Sequence, residues 1–153
     1  MKNFYLLNYD EYPNQKIRLN GTIDEKYKDD DLEKIIIEKN IYSNVIRYLI
    51  LPFHRFSKNY YTIILSNEII TLKELTDIIY DFYNKKELTL FELKNLNEDD
   101  VYDYITEITI SKKENPELVV NPIDIMGDKT FLEYITIYED QSGDIQYMLH
   151  LGS

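Results

Sequence analysis

The stretch "TLKELTDIIYDFYNKK", from Thr71 to Lys86, decides the fold because it is the most clearly helical segment of the chain. Thr71 is followed three residues later by Glu74, which is the spacing of a capping box at a helix N-terminus. Apolar residues then recur at the period of an α-helix, so one face of this segment should be buried. The residues expected on that face are Leu72, Leu75, Ile79, Phe82 and Tyr83.

Two further helical segments follow with short links. "TLFELKNL" repeats the capping box with Thr89 and Glu92. "NEDDVYDYITEITI" places Asn97 as the N-cap and acidic residues in the first turn, where the helix dipole favours negative charge. The sequence therefore predicts one layer of three consecutive helices over residues 71–110.

The chain before the helices, residues 1–68, is dominated by patterns typical of strands. "NFYLLNY" and "KIRLNGTI" predict one hairpin, and "NVIRYLILPF" and "NYYTIILS" predict a second hairpin joined by "HRFSK". "DDLEKIIIEKN" is ambiguous. Asp30 or Asp31 could cap a helix, whereas three consecutive β-branched isoleucines favour a strand. A helix is the preferred interpretation.

The chain after the helices, residues 117–151, returns to strands. Because Pro122 interrupts "PELVVNPIDIM", we expect an edge strand or an irregular strand there. "TFLEYITIYE" and "IQYMLHL" predict a hairpin that turns around Gly143. The alternation of the first strand predicts one face with Phe131, Ile135 and Ile137, and an opposite face with Tyr134, Thr136 and Tyr138. The second strand should have one apolar side, formed by Ile145, Tyr147, Leu149 and Leu151.

Strands, then helices, then strands predict an α+β fold, with mainly antiparallel sheet and a central run of three helices packed on one face. The length of 153 residues suits a single domain spanning residues 1–153. Hydrophobic residues make up 44% of the chain, which is enough to build a core.

Composition excludes several functions. The formal net charge is −11, with 17 basic against 28 acidic side chains, which argues against direct binding to nucleic acid or to an anionic membrane. Without cysteine there can be no disulfide, no thiolate nucleophile and no cysteine-based zinc site. No signal peptide is expected at the start. The longest apolar segment, "VIRYLILPF", is too short to span a bilayer.

Catalytic motifs are also missing from the sequence. Its four glycines cannot form a glycine-rich phosphate loop, and no serine lies in a nucleophile elbow. Glu92 and Lys94 match part of a nuclease pattern, but they lie in a predicted helix, where the match is accidental. His150 should face away from the neighbouring leucines, as a surface or semi-exposed residue. We therefore expect no enzyme, no catalytic residue and no cofactor.

Three carboxylates near Gly127 have two interpretations. Asp124 and Asp128 flank the glycine, so they could converge with Glu133 to hold a divalent cation in a small hydrolase or nuclease. Alternatively, Gly127 and Asp128 form the turn that starts the next strand, and Glu133 is a solvated strand residue. The turn is the preferred interpretation.

Two groups of residues are candidates for contacts with a partner. Phe53, His54, Arg55 and Phe56 could form an exposed hairpin tip, with the aromatic rings and the arginine as anchors. Alternatively, both phenylalanines fold into the core. Tyr134 and Tyr138 would form a second contact patch if helices cover only one face of the sheet, and would be core residues if a second layer covers them.

The second half of the chain also resembles a known group of proteins. "ITLKELTDIIYDFYNKKELTLFELKNLNEDDVYDYI", "IDIMGDKTFLEYITI" and the terminal "YMLHLGS" are similar to small uncharacterised proteins of giant, mimivirus-like DNA viruses of amoebae. The shared features are "TL..L...I..FY", "LT...L", "GD..F.E" and "LGS", over about residues 70–153. The resemblance implies a viral protein of the host cytoplasm or the virion, and it implies no catalytic residues.

The sequence thus predicts a non-enzymatic protein-interaction or structural domain with a protein partner. One alternative is an acidic decoy that occupies a basic, nucleic-acid-binding protein, since the chain itself is strongly negative. That alternative requires the carboxylates to lie in one dense stripe. The oligomeric state is left open by the sequence.

Overall fold

A computed structural model describes residues 16–42, 44–53, 60–96, 104–139 and 141–153. The main sheet has five strands in the order β1-β6-β7-β3-β4, and β2 pairs with β5 in a small second sheet. The elements are β1 (Lys16–Thr22), β2 (Ile35–Ile37), β3 (Arg47–Pro52), β4 (Tyr60–Ile64), β5 (Ile70–Thr71), α1 (Leu72–Tyr83), α2 (Leu90–Leu96), α3 (Tyr104–Glu114), α4 (Pro122–Met126), β6 (Phe131–Glu139) and β7 (Ile145–Gly152).

The predicted capping boxes are confirmed at α1 and α2. At α1, the Thr71 hydroxyl oxygen accepts the backbone N–H of Glu74. At α2, the Thr89 hydroxyl oxygen accepts the N–H of Glu92, whose carboxylate accepts the N–H of Thr89 in return. These bonds satisfy N–H groups that the first turn of a helix leaves without partners. The predicted buried face of α1 is also confirmed, and it includes Leu72, Leu75, Ile79, Phe82 and Tyr83.

Most of the predicted strands are present. β1 matches "KIRLNGTI", β3 and β4 form the second predicted hairpin, and β6 and β7 form the last one. Gly143 in the β6–β7 turn has a φ of 83°, a conformation that glycine adopts without steric cost. The predicted strand "NFYLLNY" and the predicted cap Asn97 lie outside the described residues.

Two segments fold differently from their prediction. "DDLEKIIIEKN" forms strand β2 rather than a helix, because Ile35–Ile37 pairs with β5, a strand far away in sequence. "NPIDIM" forms the short helix α4 rather than a strand. Pro122 is its first residue, a position where the missing N–H of proline costs nothing. The described chain therefore has four helices rather than three.

The main sheet is mixed. Its β1–β6, β6–β7 and β3–β4 pairs are antiparallel, but β3 and β7 run parallel. The prediction of an α+β fold is correct, whereas a mainly antiparallel sheet under a central three-helix layer describes the arrangement only loosely.

One face of the main sheet, here called the inner face, builds the core together with the helices. Leu49 and Leu51 on β3, Ile135 on β6 and Leu149 on β7 are almost fully buried there. Side chains of α1, α2 and α4 belong to the same core. The opposite, outer face is formed by the alternating residues; those on the central strands are Tyr48, Ile50, Tyr134, Thr136, Tyr138, Gln146, Met148 and His150.

The predicted alternation of β6 is wrong at its first residue. Phe131 is 51% exposed, and Leu132 is buried in its place. The pairing of β6 with β7 shifts register between Leu132 and Tyr134, so a β-bulge reverses the alternation at the start of the strand. Ile135 and Ile137 keep their predicted inward orientation.

Arg47 is a buried charged residue at the start of β3. Its guanidinium donates hydrogen bonds to the backbone carbonyls of Glu38 and Glu68, each at 2.9 Å, and to that of Ser66. Burial raises the pKa of Tyr147, and the neighbouring Arg47 guanidinium opposes that rise. Arg47 therefore ties the segment after β2 and the segment after β4 to the main sheet.

Candidate protein-interaction surface

Phe53, the first of the four predicted contact residues of the hairpin tip, is not exposed. Phe53 is completely buried, with its ring centroid 6.1 Å from that of Phe82 on α1. Of the two interpretations of this residue, the core position is therefore correct and an exposed contact is wrong. The other three residues of the proposed tip, His54, Arg55 and Phe56, lie outside the described residues.

The predicted tyrosine patch is also mostly covered. Tyr138 is only 8% exposed, so of its two interpretations the buried one is correct and the exposed contact is wrong. Tyr134 is half-buried, and its ring stacks on His150 with 4.4 Å between centroids. The ammonium of Lys16 lies 3.8 Å from the centroid of the Tyr134 ring, which is the geometry of a cation–π contact. The Tyr134 ring is therefore already in contact with two side chains.

The burial of His150 on the outer face predicts how the stability of the protein depends on pH. Burial lowers the pKa of His150 from 6.5; Glu133 opposes this shift and Lys16 adds to it. The unfolded chain therefore binds the proton more readily than the folded protein does. As a result, the free energy of unfolding should fall as the pH drops through 6.5. Urea unfolding above and below that pH, compared between the wild type and His150→Gln, measures the contribution; an equal fall in both proteins would contradict it.

Gln146 is fully buried on the outer face, between Tyr138 and Tyr48 on the neighbouring strands. Neither atom of its amide has a hydrogen-bond partner among the described residues. Because burying an unpaired polar group costs free energy, Gln146→Met should raise the free energy of unfolding by about 1 kcal/mol. Gln146→Glu, which buries a charge at the same place, should lower it. Thermal or urea unfolding measures both, and a loss of stability in Gln146→Met would contradict the prediction.

The three carboxylates near Gly127 do not converge. Asp124 accepts a hydrogen bond from the Asn121 side chain at 3.1 Å. The Glu133 side chain lies directly over Gly152, where an added Cβ would come within 1.8 Å of it. In the part of the chain that the structure describes, no three acidic or histidine side chains are grouped to hold a metal ion. The expectation of convergence that the metal-site alternative requires is therefore wrong, and Gly127, with a φ of 61°, ends α4 in a turn.

The two edges of the main sheet differ in how they are protected. Edge strand β1 carries Lys16 and Arg18, and its pairing with β6 is interrupted by a bulge between Arg18 and Gly21. Charged side chains and bulges are the features that keep edge strands from pairing with other chains. Edge strand β4 has the sequence "YYTII", without charge, proline or interruption of register. Among the described strands, β4 is thus the less protected edge.

On β4, the backbone N–H and carbonyl groups that do not bond to β3 point away from the sheet. The N–H of Leu65 donates to the carbonyl of Arg47 at 2.9 Å, which identifies residues 47 and 65 as a hydrogen-bonded pair. Since such pairs alternate along an antiparallel ladder, Tyr61 and Ile63 also bond to β3. Tyr60, Thr62 and Ile64 therefore direct their N–H and carbonyl groups away from the sheet.

Four exposed apolar residues lie on β4 or on the segment that precedes β3, and we call them together the aliphatic corner: Ile41, Tyr42, Ile46 and Ile64. Ile41, Tyr42 and Ile64 are 76%, 65% and 69% exposed. Ile46 precedes β3 and is a diagonal neighbour of Ile64 on the outer face. The loop that carries Ile41 and Tyr42 is held against the end of β4, since the N–H of Asn40 donates to the carbonyl of Asn67 at 2.8 Å.

The sequence contains one signal for this surface. "YYTII" is a strand without a charged residue, and such a strand is aggregation-prone if it lies at an edge. Which strand lies at the edge depends on strand order, and that order follows from the parallel β3–β7 pair.

Comparisons with known proteins do not identify relatives: no family model, curated protein or solved structure matches the chain. Within the described residues, no helix is both long and apolar enough to cross a membrane.

Proposed function

We propose that the protein is a non-enzymatic protein-interaction domain whose contact surface is the β4 edge together with the aliphatic corner. The observation that carries this proposal is the position of Ile64. It is a large aliphatic side chain, 69% exposed, on an edge strand whose outward backbone groups have no partner strand among the described residues. A partner strand would cover both the side chain and the backbone groups in one step.

The chemistry of the surface supports the same function. Leaving apolar area in water is unfavourable at roughly 25 cal/mol per Å², so adjacent exposed aliphatic residues favour association. The corner and β4 carry no charge, although the whole chain has a net charge of −11. Interface centres are characteristically depleted in charged residues, whereas the charges elsewhere keep the protein soluble.

The biological setting remains a prediction from the resemblance. That resemblance suggests a protein of a large DNA virus, which acts in the host cytoplasm or is packaged in the virion. The acidic-decoy alternative also remains a prediction. It requires a basic partner and one dense acidic stripe, whereas the surface proposed for contact is uncharged.

Site-specific photo-crosslinking tests the proposal. A photoreactive amino acid at position 41, in the aliphatic corner, should give discrete crosslinked products in a lysate of the cells that make the protein. The matched control is position 91, since Phe91 is 73% exposed on α2, a helix that packs against α3. Mass spectrometry identifies the products. An absence of discrete products from position 41, or the same products from both positions, would overturn the proposal.

A further inference from the structure

We propose that the partner of the β4 edge is a second copy of this chain, bound by antiparallel pairing of Tyr60–Ile64 with the same strand around a two-fold axis at Thr62. This inference rests on the proposed function and names its partner. The resulting dimer would have one continuous sheet that runs through both copies.

Backbone geometry permits this pairing in one complete register. The residues whose N–H and carbonyl groups point outward are Tyr60, Thr62 and Ile64. When Thr62 lies opposite Thr62 of the second copy, Tyr60 lies opposite Ile64 in both directions. Every outward group of β4 then has a partner, because each directly opposed pair of this type exchanges both N–H···O bonds. A shift of two residues would leave an outward residue of each strand unpaired.

The side chains of β4 complement themselves in the same register. "YYTII" read against its own reverse gives two tyrosine–isoleucine pairs on either side of a threonine–threonine pair. Pairs of an aromatic and a β-branched residue, and pairs of threonines, are the cross-strand combinations that stabilise antiparallel sheets. Tyr60 of one copy would cover the exposed Ile64 of the other on the outer face, while Tyr61 would meet Ile63 on the inner face.

The alternative of β4 pairing with β1 of another copy is disfavoured by the same criteria. Lys16 and Arg18 on β1 would face a strand without acidic residues, and the bulge between Arg18 and Gly21 interrupts the ladder. Such a head-to-tail contact would also extend into a filament rather than close into a dimer.

Net charge gives the dimer a characteristic salt dependence. Two copies with a net charge of −11 each repel one another, while the pairing strands are themselves uncharged. Added salt screens that repulsion, with a Debye length of roughly 10 Å at 0.1 M and about 3 Å at 1 M. The dimer should therefore become tighter as the salt concentration rises.

The experiment uses the full chain and two substitutions at the two-fold axis, Thr62→Lys and Thr62→Glu. Because Thr62 meets only itself in the proposed register, each variant alone places like charges directly opposite one another. Each should raise the dimer dissociation constant by about tenfold or more. An equimolar mixture of the two variants should restore a heterodimer, because lysine then faces glutamate. Sedimentation equilibrium measures these constants, and circular dichroism checks that the variants are folded, as expected for an exposed position.

Arg18→Glu, on the other edge of the sheet, is the matched control. It adds to the net negative charge but places no charge at the two-fold axis, so it should change the dissociation constant much less than either Thr62 variant. A wild-type chain that stays monomeric at every concentration overturns the self-pairing. So does a dimer that both Thr62 variants retain, or a mixture that does not associate. If crosslinks from position 41 then lead to a different protein, the interaction function stands and only the identity of the partner is wrong.

Hydrogen exchange at the amides of Thr62 and Ile64 distinguishes whether the β4 edge is covered by a second copy, by another part of the same chain, or by nothing. Protection that appears only at concentrations where the dimer forms supports the proposal. Protection in the dilute monomer would mean that another part of the same chain covers the edge, which overturns it. Fast exchange at every concentration would mean that the edge stays free, which also overturns it.

Discussion

Replacing Arg47 with alanine should lower the free energy of unfolding by at least about 4 kcal/mol, since three hydrogen bonds from a charged donor are lost and each contributes about 1.5–3 kcal/mol. The buried guanidinium holds the carbonyls of Glu38, Ser66 and Glu68, which lie on two separate segments. Domains of this kind unfold at a cost of roughly 5–15 kcal/mol, so the variant should be marginally stable or partly unfolded at room temperature. Urea unfolding followed by circular dichroism measures the loss.

Two further variants separate hydrogen bonding from packing at Arg47. Arg47→Met keeps much of the side-chain volume but donates no hydrogen bond, so it should still lose most of the stability. Arg47→Lys keeps the charge without the planar fork, and it should fall between the wild type and Arg47→Met. If Arg47→Met is as stable as the wild type, the three hydrogen bonds make no net contribution and our interpretation of Arg47 is wrong.

Leu75→Ala should lower the free energy of unfolding by about 2–5 kcal/mol, the range found when a fully buried leucine is truncated in a close-packed core. Leu75 lies on the buried face of α1, has no solvent exposure and belongs to the core shared with the inner face of the main sheet. The substitution leaves a cavity that the surrounding strands fill only partly. Thermal and urea unfolding together give the loss.

Asp81→Ala on the same helix is the matched control. Asp81 is exposed in the last turn of α1, where a negative charge is unfavourable because the C-terminal end of a helix is partially negative. Alanine also has the higher helix propensity. Asp81→Ala should therefore leave stability unchanged or raise it slightly. A comparable loss in both variants would indicate that the helix itself, rather than its packing, is sensitive to substitution.

The elements that sequence patterns predicted correctly depend on interactions between close neighbours. The capping boxes at Thr71 and Thr89 involve residues three positions apart, and the hairpins β3–β4 and β6–β7 join strands that are adjacent in sequence. The predictions that failed depend on distant contacts. Ile35–Ile37 is a strand because β5 pairs with it, and Phe131 is exposed because β7 imposes a bulge on β6. Local patterns contain no information about either contact.

For the candidate sites, too, the sequence was informative about local features and not about distant contacts. Composition and motifs could exclude cysteine chemistry and a glycine-rich phosphate loop, because these require particular residues to be present. They could not predict that Phe53 and Tyr138 are buried, since burial depends on which elements pack over a residue.

The sequence by itself determined the helix α1, the capping boxes of α1 and α2, the hairpins β3–β4 and β6–β7, and the strong negative charge. Each of these follows from the residue types and their short-range spacing. Only the tertiary structure decided that β3 lies parallel to β7, and hence that β4 is left at the edge with Ile64 exposed. Strand order depends on contacts between residues almost one hundred positions apart, such as the hydrogen bond from the N–H of Ile46 to Asp144, and no local pattern specifies them.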